Sequence, residues 1–322
     1  MNRRTLGRTG IEVSEVGYGA WGIGRTMWLG ADDRESLRAL HRAIDLGLNF
    51  IDTALGYGDG HSEQLVGRVV LEREEPIVVA TKVPPKNGLW PAPAGSHADE
   101  AFPGDHVRAC AERSLANLGT EVVDLLQLHV WQDDWMGQGD WLQTIEALRD
   151  EGKIRAFGIS INDHQPLSAL RLVKGGAVDS VQVIYNVFDQ SPEDELLPAC
   201  LEHGVGVLAR VPFDEGALTG RITPDTEFPE GDFRNEYFRD GRREEVDEHV
   251  RAILADLDIE RDDLPAVALR YVLSHPAVSS VIPGMRSVRN VEANVAVADG
   301  RGLSRERVRA LRRHRWERNF YR

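Results

Sequence analysis

The stretch ESLRALHRAIDLGLNFIDTA, residues 35–54, joins an amphipathic helical pattern to a short apolar run that is typical of a β-strand. Its helical part ends at Gly47, and glycine often terminates a helix. The same alternation continues in both directions along the chain. The predicted strands cover residues 15–21, 49–54, 77–83, 123–130, 154–160, 181–187, 205–210 and 278–284. Strands that alternate with helices indicate βα units and therefore a parallel sheet.

The number of βα units decides between the possible α/β architectures. Eight units in a chain of 322 residues fit a closed (β/α)₈ TIM barrel better than an open doubly wound sheet. No Pro/Gly/Ser-rich linker or low-complexity tract divides the chain, so residues 1–322 are predicted to form a single domain. The longest departures from the alternation, residues 84–104, 131–140 and 212–243, follow predicted strand ends. A barrel places its functional loops at that end.

Composition and charge exclude several classes of function. The net charge of −14 disfavours a nucleic-acid partner, since phosphate binding needs a broad basic surface. The start, MNRRTLGRTG, lacks the apolar region of a signal peptide, and no apolar stretch is long enough to span a bilayer. Cys110 and Cys200 lie far apart in predicted helices, which favours buried free thiols over a disulfide or a metal site. We therefore expect a soluble, cytoplasmic protein with no membrane partner and no metal.

One glycine motif near the N-terminus could be mistaken for a dinucleotide-binding motif. Gly17, Gly19 and Gly22 match the dinucleotide fingerprint GxGxxG, which requires a helix to begin at the glycines. The segment that follows, IGRTMWLGADD, is typical of a loop, and the next helix is predicted to begin only near Asp33 or Arg34. A Rossmann domain is therefore disfavoured.

Four polar residues stand at or just beyond the ends of three consecutive predicted strands. Asp52 and Tyr57 follow the second strand, Lys82 lies in the third, and His129 lies in the fourth. Neighbouring strands are about 5 Å apart, so side chains at similar heights can converge at the mouth of a barrel. A buried carboxylate without a partner costs several kcal/mol. Lys82 is therefore predicted to pair with Asp52.

These four residues suit proton transfer to a carbonyl oxygen. A free tyrosine has a pKa of about 10, which the ammonium of Lys82 is expected to lower while Asp52 holds that ammonium in place. His129 can hydrogen-bond a substrate oxygen and orient it towards Tyr57. Such a site protonates the alkoxide that forms when a hydride from a nicotinamide cofactor reduces a carbonyl. Each residue alone also fits an ordinary structural role, but their order along the barrel favours the catalytic interpretation.

Several motifs along almost the whole chain resemble those of the aldo-keto reductase family. LGRTGIEVSEVGYGAWGIG resembles the family's N-terminal hairpin and first strand, and GLNFIDTALGYGDGHSEQLVG resembles its most diagnostic motif. VVATKV and DLLQLHV follow in the expected order. The resemblance implies Tyr57 as general acid/base, Lys82 and Asp52 as residues that tune it, and His129 as the residue that orients the carbonyl. Histidine rather than glutamate at the last position implies carbonyl/alcohol chemistry rather than double-bond reduction.

The resemblance also implies a cofactor site, with departures from the family pattern. Ile161 occupies a usual Asn position and Asn162 lies one place on, Arg210 replaces a stacking aromatic residue, and Ala293 replaces a usual Glu. Arg286 fits the position that pairs with the adenosine 2′-phosphate, so NADP(H) is favoured over NAD(H). The residues that the resemblance assigns to the cofactor are Trp21, Asp52, Ser160, Asn162, Gln182, Arg210, Val211, Pro212, Phe213, Gly216, Leu218, Gly284, Arg286, Asn290 and Asn294.

Tryptophans follow the ends of the first, third and fourth predicted strands. Trp21, Trp90, Trp131 and Trp135 are candidates for aromatic walls of a substrate pocket, and the first three are predicted to contact substrate. Packing of the loops is the alternative role for such residues. The basic and aromatic tail RRHRWERNFYR is interpreted as the end of a C-terminal helix and a loop that borders the pocket.

The sequence therefore predicts a (β/α)₈ NADP(H)-dependent oxidoreductase that interconverts an aldehyde or ketone, such as a sugar or another small carbonyl compound, with its alcohol. Two alternatives remain open. One is a nicotinamide-binding regulatory subunit that keeps the four residues without turnover. The other is a lyase or isomerase that uses bound nicotinamide transiently and has no net redox reaction. Substrate identity, direction and oligomeric state are not indicated by these residues.

Overall fold

A computed structural model of the protein describes residues 1–25 and 29–321. Its centre is a sheet of eight parallel strands, preceded by an antiparallel hairpin of two short strands. The hairpin strands are β1 (Arg3–Thr5) and β2 (Glu12–Ser14). The parallel strands are β3 (Tyr18–Gly19), β4 (Phe50–Asp52), β5 (Val78–Val83), β6 (Val123–Leu128), β7 (Ile154–Ser160), β8 (Ser180–Ile184), β9 (Gly206–Arg210) and β10 (Val278–Val281).

The parallel strands pair in chain order from β3 to β10, and the two outer strands then meet each other. Parallel bridges join Val16 to Val281 and Gly19 to Gly284, so the sheet curls round on itself. The predicted (β/α)₈ barrel is confirmed. Each of the eight predicted strands overlaps an observed one, and β8 begins one residue earlier than predicted. Several observed strands are shorter than predicted, because backbone pairing stops before the apolar pattern does.

Helices follow the strands and cover the outer face of the sheet. The described helices are α1 (Asp33–Asp45), α2 (His61–Glu72), α3 (Ala98–Ala101), α4 (Gly104–Leu118), α5 (Trp141–Asp150), α6 (Leu170–Lys174), α7 (Leu196–Glu202), α8 (Phe233–Tyr237), α9 (Arg242–Leu257), α10 (Leu264–Leu273), α11 (Val288–Val295) and α12 (Arg305–Arg312). None of the helices within the described residues is long and apolar enough to cross a bilayer.

The glycines of the misleading GxGxxG motif permit close packing where the barrel closes. A Cβ at Gly19 would lie 2.7 Å from the carbonyl oxygen of Ile282, and one at Gly22 would lie 2.8 Å from the Arg286 side chain. The helix that follows begins at Asp33, where the Asp32 carboxylate caps it by accepting a hydrogen bond from Glu35 N. The motif therefore does not open a helix, as expected from the sequence.

Two apolar cores position the mouth of the barrel. The inner core fills the barrel and includes Phe50 and Leu125, and the hairpin contributes Leu6, Ile11 and Val13 to it. The outer core lies between the strands and the helices. Because side chains alternate along a strand, the residues at positions 52, 82, 127 and 182 share the inner face with this core. Polar side chains on that face therefore lie inside the barrel, shielded from water.

Candidate active site

Asp52, Lys82 and Tyr57 lie in direct contact at the mouth of the barrel. Lys82 Nζ donates to Asp52 Oδ2 at 2.6 Å, to the carbonyl oxygen of Thr53 at 2.8 Å and to the Tyr57 hydroxyl at 3.2 Å. Neighbouring strands β4 and β5 supply the aspartate and the lysine, and the turn after β4 supplies the tyrosine. The structure therefore brings together the ion pair and the tyrosine that the sequence predicted.

Because Lys82 and Asp52 are both buried, their charges interact strongly. Lys82 is fully buried and Asp52 is 2% exposed. Burial alone would lower the pKa of Lys82, but the negative charge of Asp52 and the Tyr57 hydroxyl beside it outweigh that effect and raise the pKa. Asp52, Thr53 and Tyr57 together supply acceptors for all three donor positions of a Lys82 ammonium.

The glycines around Tyr57 make its position possible. Gly58 has φ of 71°, and a Cβ there would collide with the carbonyl oxygen of Gly24. The turn thus presses against the loop after β3 and presents the phenol to Lys82. Burial raises the pKa of Tyr57 above its ordinary value, and Lys82 opposes part of that rise. This differs from the expected lowering, because desolvation of the phenolate outweighs the attraction of the ammonium.

His129 completes the group of four. Its backbone N–H donates to the carbonyl oxygen of Val83 at 3.0 Å, and its ring lies 5.7 Å from the Tyr57 ring and 4.6 Å from the Trp90 ring, centroid to centroid. Burial and the positive charges of Lys82 and Arg210 hold the pKa of His129 well below its usual range. Its Nδ1 is buried with no hydrogen-bond partner among the described residues. A neutral imidazole of this kind can donate one hydrogen bond to a substrate oxygen.

The side-chain amides of Gln182 and Asn162, two of the predicted cofactor residues, are hydrogen-bonded to other parts of the protein. Gln182 donates from Nε2 to Asp52 Oδ1 at 2.8 Å. Asn162 bonds through both ends of its amide to the backbone of Ala92, at 3.0 Å from Ala92 N and 3.3 Å from Ala92 O. Asn162 therefore fixes the loop after β5, whereas Ser160, at the end of β7, is buried at the register position that pairs with Gln182.

Arg210 ends β9 and carries its charge into the same region. Its Nη2 donates to Asp163 Oδ1 at 2.7 Å and to the carbonyl oxygen of Ile161 at 3.1 Å. Its Nε is buried and has no partner among residues 1–25 and 29–321. The positive charge of Arg210 acts to lower the pKa of both Tyr57 and His129. A cation therefore occupies the position where the sequence resemblance implied an aromatic ring.

The loop after β9 has an unusual backbone. Val211, Asp214 and Glu215 have φ between 52° and 53°, and Gly216 has φ of 111°. Positive φ is costly for residues with side chains and is concentrated at functional sites. The residues predicted there to contact the cofactor are Val211, Pro212, Phe213, Gly216 and Leu218, and the structure places all five on this loop.

The predicted phosphate-binding segment follows β10. A Cβ at Gly284 would meet no atom within 4 Å, so the backbone there is open. Arg286 donates to the carbonyl oxygen of Leu29 at 2.7 Å, and burial together with the neighbouring positive charge of Arg234 lowers its pKa. Asn290 and Asn294 lie on α11, whose N-terminus follows directly. Arg234 is paired with both carboxylate oxygens of Asp232, at 2.8 and 2.9 Å, and the guanidinium of Arg286 beside it suits an anionic ligand.

The predicted substrate-contacting tryptophans occupy two different environments. Trp21 lies 6.5 Å from the Tyr57 ring and 6.0 Å from the Phe233 ring, and Trp90 is 49% exposed beside His129. Trp131 is fully buried, with ring contacts to the tryptophans at positions 135 and 141 at 5.8 and 5.2 Å. Trp131 therefore packs against the interior of the loop after β6, with no exposed surface, and its predicted contact with substrate stays a prediction.

Sequence reasoning missed two groups around the site. One is Gln127, an amide inside the apolar run of β6 that donates to Asp52 Oδ1 at 3.3 Å. Its polarity in VDLLQLHV was the available signal. The other joins Glu215 to Tyr321, whose hydroxyl donates to Glu215 Oε1 at 2.5 Å and whose ring stacks on Phe233. No local pattern indicates a contact between residues 106 positions apart.

Glu215 gives the fold a pH-dependent stability. Burial raises the pKa of Glu215 from 4.5 to about 7, although the hydrogen bond from Tyr321 opposes the rise. A carboxyl whose pKa is higher in the folded state stabilises the fold at low pH, and this contribution is lost between about pH 4.5 and about pH 7.

We expect wild type to lose about 3 kcal/mol of stability across this range relative to Glu215→Gln, measured by urea unfolding. Glu230→Gln, in an exposed part of the same loop, should follow wild type. Parallel pH profiles for wild type and Glu215→Gln would contradict this.

Comparison with known proteins identifies the family. A sequence model described as the Aldo/keto reductase family matches residues 15–315. The chain is 30% identical over 335 residues to a protein of Escherichia coli (strain K12) named NADH-specific methylglyoxal reductase, with coverage of 97% of this chain and 100% of that one.

Solved structures agree with this result. An aldo-keto reductase from Bacillus halodurans in its holo form has a TM-score of 0.77 at 29% identity, covering 98% of this chain and 96% of that one. A glycerol dehydrogenase from Gluconobacter oxydans has a TM-score of 0.76 at 30% identity, covering 97% and 94%. The protein belongs to the aldo/keto reductase family of oxidoreductases, which confirms the family indicated by the sequence motifs.

Proposed function

We propose that this protein is an NADP(H)-dependent reductase that interconverts a small aldehyde or ketone with its alcohol, with Tyr57 as the general acid/base. The observation that carries the proposal is the Asp52–Lys82–Tyr57 chain of contacts, with neutral His129 beside it. A tyrosine hydroxyl that is hydrogen-bonded to a buried lysine, itself paired with an aspartate, is suited to proton transfer.

Tyr57, Lys82 and His129 divide the chemistry of carbonyl reduction between them, and Asp52 holds the Lys82 ammonium in place. The nicotinamide, when bound, supplies the hydride that adds to the carbonyl carbon. Tyr57 gives its hydroxyl proton to the carbonyl oxygen as negative charge develops there. Lys82 stabilises the phenolate that remains, because its ammonium already bonds the same oxygen. His129 donates a hydrogen bond to the substrate oxygen and so orients it towards Tyr57. In alcohol oxidation the proton moves in the opposite direction, from the alcohol hydroxyl to the Tyr57 phenolate.

The residues around the site fit a dinucleotide. His129 Nδ1 and Arg210 Nε are buried polar atoms at the mouth with no hydrogen-bond partner in the part of the chain that the structure describes, and a bound ring or substrate can satisfy them. The strained loop after β9 suits the pyrophosphate, since loops after the last strands of a barrel often bind phosphate groups. Arg286 beside Arg234 suits the additional 2′-phosphate of NADP(H). These features support the cofactor residues that the sequence resemblance implies.

The preference for NADP(H) can be tested at Arg286. We expect Arg286→Ala to weaken NADPH binding by about 10- to 100-fold, because a charge-assisted hydrogen bond to a phosphate contributes about 1.5–3 kcal/mol. NADH binding should change by less than about threefold, since NADH has no 2′-phosphate. Fluorescence titration of wild type and variant with both nucleotides measures this.

The matched control is Arg289→Ala, which removes an exposed arginine from the same segment. It should leave both affinities close to wild type. Equal losses of NADPH and NADH affinity in Arg286→Ala would contradict its role as a 2′-phosphate ligand. Preference of wild type for NADH, as the name of the Escherichia coli relative states for that protein, would contradict the choice of cofactor.

The two alternatives left open by the sequence differ from this proposal in the reaction that they predict. A regulatory subunit would bind the nucleotide and oxidise no alcohol, and a lyase or isomerase would convert substrate without net change in the nucleotide. The rings of Trp21 and His129 lie beside the Tyr57 ring, and Trp90 lies against His129, which supports a pocket with aromatic walls for a small carbonyl compound. A small carbonyl compound is the proposed partner. Cytoplasm is the proposed location, which the buried free thiols Cys110 and Cys200 support.

A further inference from the structure

A polar layer crosses the barrel interior beside Lys82. It consists of Asp52 from β4, Gln127 from β6 and Gln182 from β8, with exposed fractions of 2%, 0% and 1%. Both amides donate to Asp52 Oδ1, Gln182 at 2.8 Å and Gln127 at 3.3 Å. Alternate strands contribute the side chains of one layer in such a barrel, so these three residues meet because of the fold. Lys82 binds the other oxygen, Oδ2.

The layer affects where the proton between Asp52 and Lys82 resides. A buried pair can exist as ammonium and carboxylate, or as neutral amine and carboxylic acid after one proton transfer. Removal of two charges from water is costly, so burial favours the neutral pair. Hydrogen bonds donated to a carboxylate favour its anionic form. Two amide N–H groups on Oδ1 therefore favour the ionised pair.

We propose that Gln127 is a positioning residue for proton transfer: together with Gln182 it stabilises Asp52 as an anion, which keeps the proton on Lys82 beside the Tyr57 hydroxyl. This rests on the proposed role of Tyr57 as acid/base. Gln127 acts through Asp52, since the hydrogen bonds of its side chain among the described residues are to Asp52 and Gln182.

The orientation of the Gln127 amide is fixed by its second contact. Gln182 Nε2 also donates to Gln127 Oε1, at 3.3 Å. This bond directs the oxygen of Gln127 towards Gln182, so that its N–H group faces Asp52. An apolar side chain of the same length would lose both bonds and leave Asp52 Oδ1 with Gln182 alone.

The first test replaces Gln127 by methionine, which is similar in length and cannot donate a hydrogen bond. If the proton then moves to Asp52, Tyr57 loses the neighbouring ammonium, and its ionisation requires a higher pH. We expect the titration midpoint of the Tyr57 phenolate to rise by about 1 pH unit or more. Ultraviolet absorbance measures this when the signal of Gln127→Met/Tyr57→Phe is subtracted from that of Gln127→Met. The base limb of the pH profile for alcohol oxidation should move in the same direction, with KM for the alcohol within threefold of wild type.

Leu125→Met is the matched control, because Leu125 lies two residues earlier on β6 and also faces the barrel interior. It disturbs packing without contacting Asp52 and should leave the titration midpoint unchanged. An unchanged midpoint in Gln127→Met, or equal shifts in both variants, would overturn the proposal. If Gln127→Met does not fold, Gln127→Asn, whose shorter amide falls short of Asp52, gives the same test. If wild type reduces no carbonyl, the proposed function fails, whereas the absorbance titration still decides the role of Gln127.

Discussion

Tyr57→Phe is expected to lower kcat for carbonyl reduction by about 10²- to 10⁴-fold, which is the usual contribution of a positioned general acid. The phenol is the group that Lys82 contacts at 3.2 Å, and phenylalanine keeps the ring but has no proton to give. The affinity for NADPH should stay within about threefold of wild type, because only the hydroxyl is lost. Steady-state kinetics and a fluorescence titration on the same preparations measure both quantities.

Tyr18→Phe provides a control of the same chemistry. Tyr18 is fully buried on β3, and its hydroxyl has no partner among the residues that the structure describes. Its replacement should leave kcat within about twofold of wild type. If Tyr57→Phe retained more than a tenth of wild-type turnover, another group would have to supply the proton, and the role given to Tyr57 would be wrong.

Lys82→Met is expected to abolish turnover and to destabilise the protein by about 3–5 kcal/mol, the usual cost of breaking a buried ion pair. Methionine fits the space but leaves Asp52, at 2% exposure, without its counter-ion. Urea unfolding measures the loss of stability, and steady-state kinetics measure the loss of kcat. The two losses have different causes, since stability depends on the uncompensated carboxylate and turnover depends on the missing ammonium.

The double variant Asp52→Asn/Lys82→Met separates these causes. Removal of both charges should restore most of the stability, because no uncompensated charge remains in the barrel. Turnover should stay as low as in Lys82→Met, because Tyr57 still has no ammonium beside it. Recovery of turnover in the double variant would show that Lys82 acts only by supporting the fold.

The sequence was sufficient to predict the barrel and the four central residues. Alternating apolar strands and helices indicate βα units, and residues at the ends of consecutive strands are brought together by the fold itself. Asp52 and Lys82 are therefore predictable as partners although 30 residues separate them.

Burial and contacts between distant loops were not predictable. Trp131 was expected at the mouth because it follows a strand end, but only the packing of its neighbours shows that it is enclosed. Gln127 contacts Asp52 across the barrel, 75 residues away, in a register that needs the closed sheet. The direction of the pKa shift at Tyr57 was not predicted either, because the desolvation of a phenol depends on atoms contributed by several loops.

Transfer of deuterium from NADPH labelled at the reactive C4 position tests the proposed reaction most directly. The labelled nucleotide is incubated with wild type and a panel of small carbonyl compounds that includes methylglyoxal and glyceraldehyde, and the alcohols are analysed by mass spectrometry. We predict an alcohol that carries one deuterium on the former carbonyl carbon, formed in step with NADPH oxidation and absent with Tyr57→Phe. Tight NADPH binding without labelled alcohol from any member of the panel would contradict the reductase assignment and favour a regulatory nucleotide-binding protein.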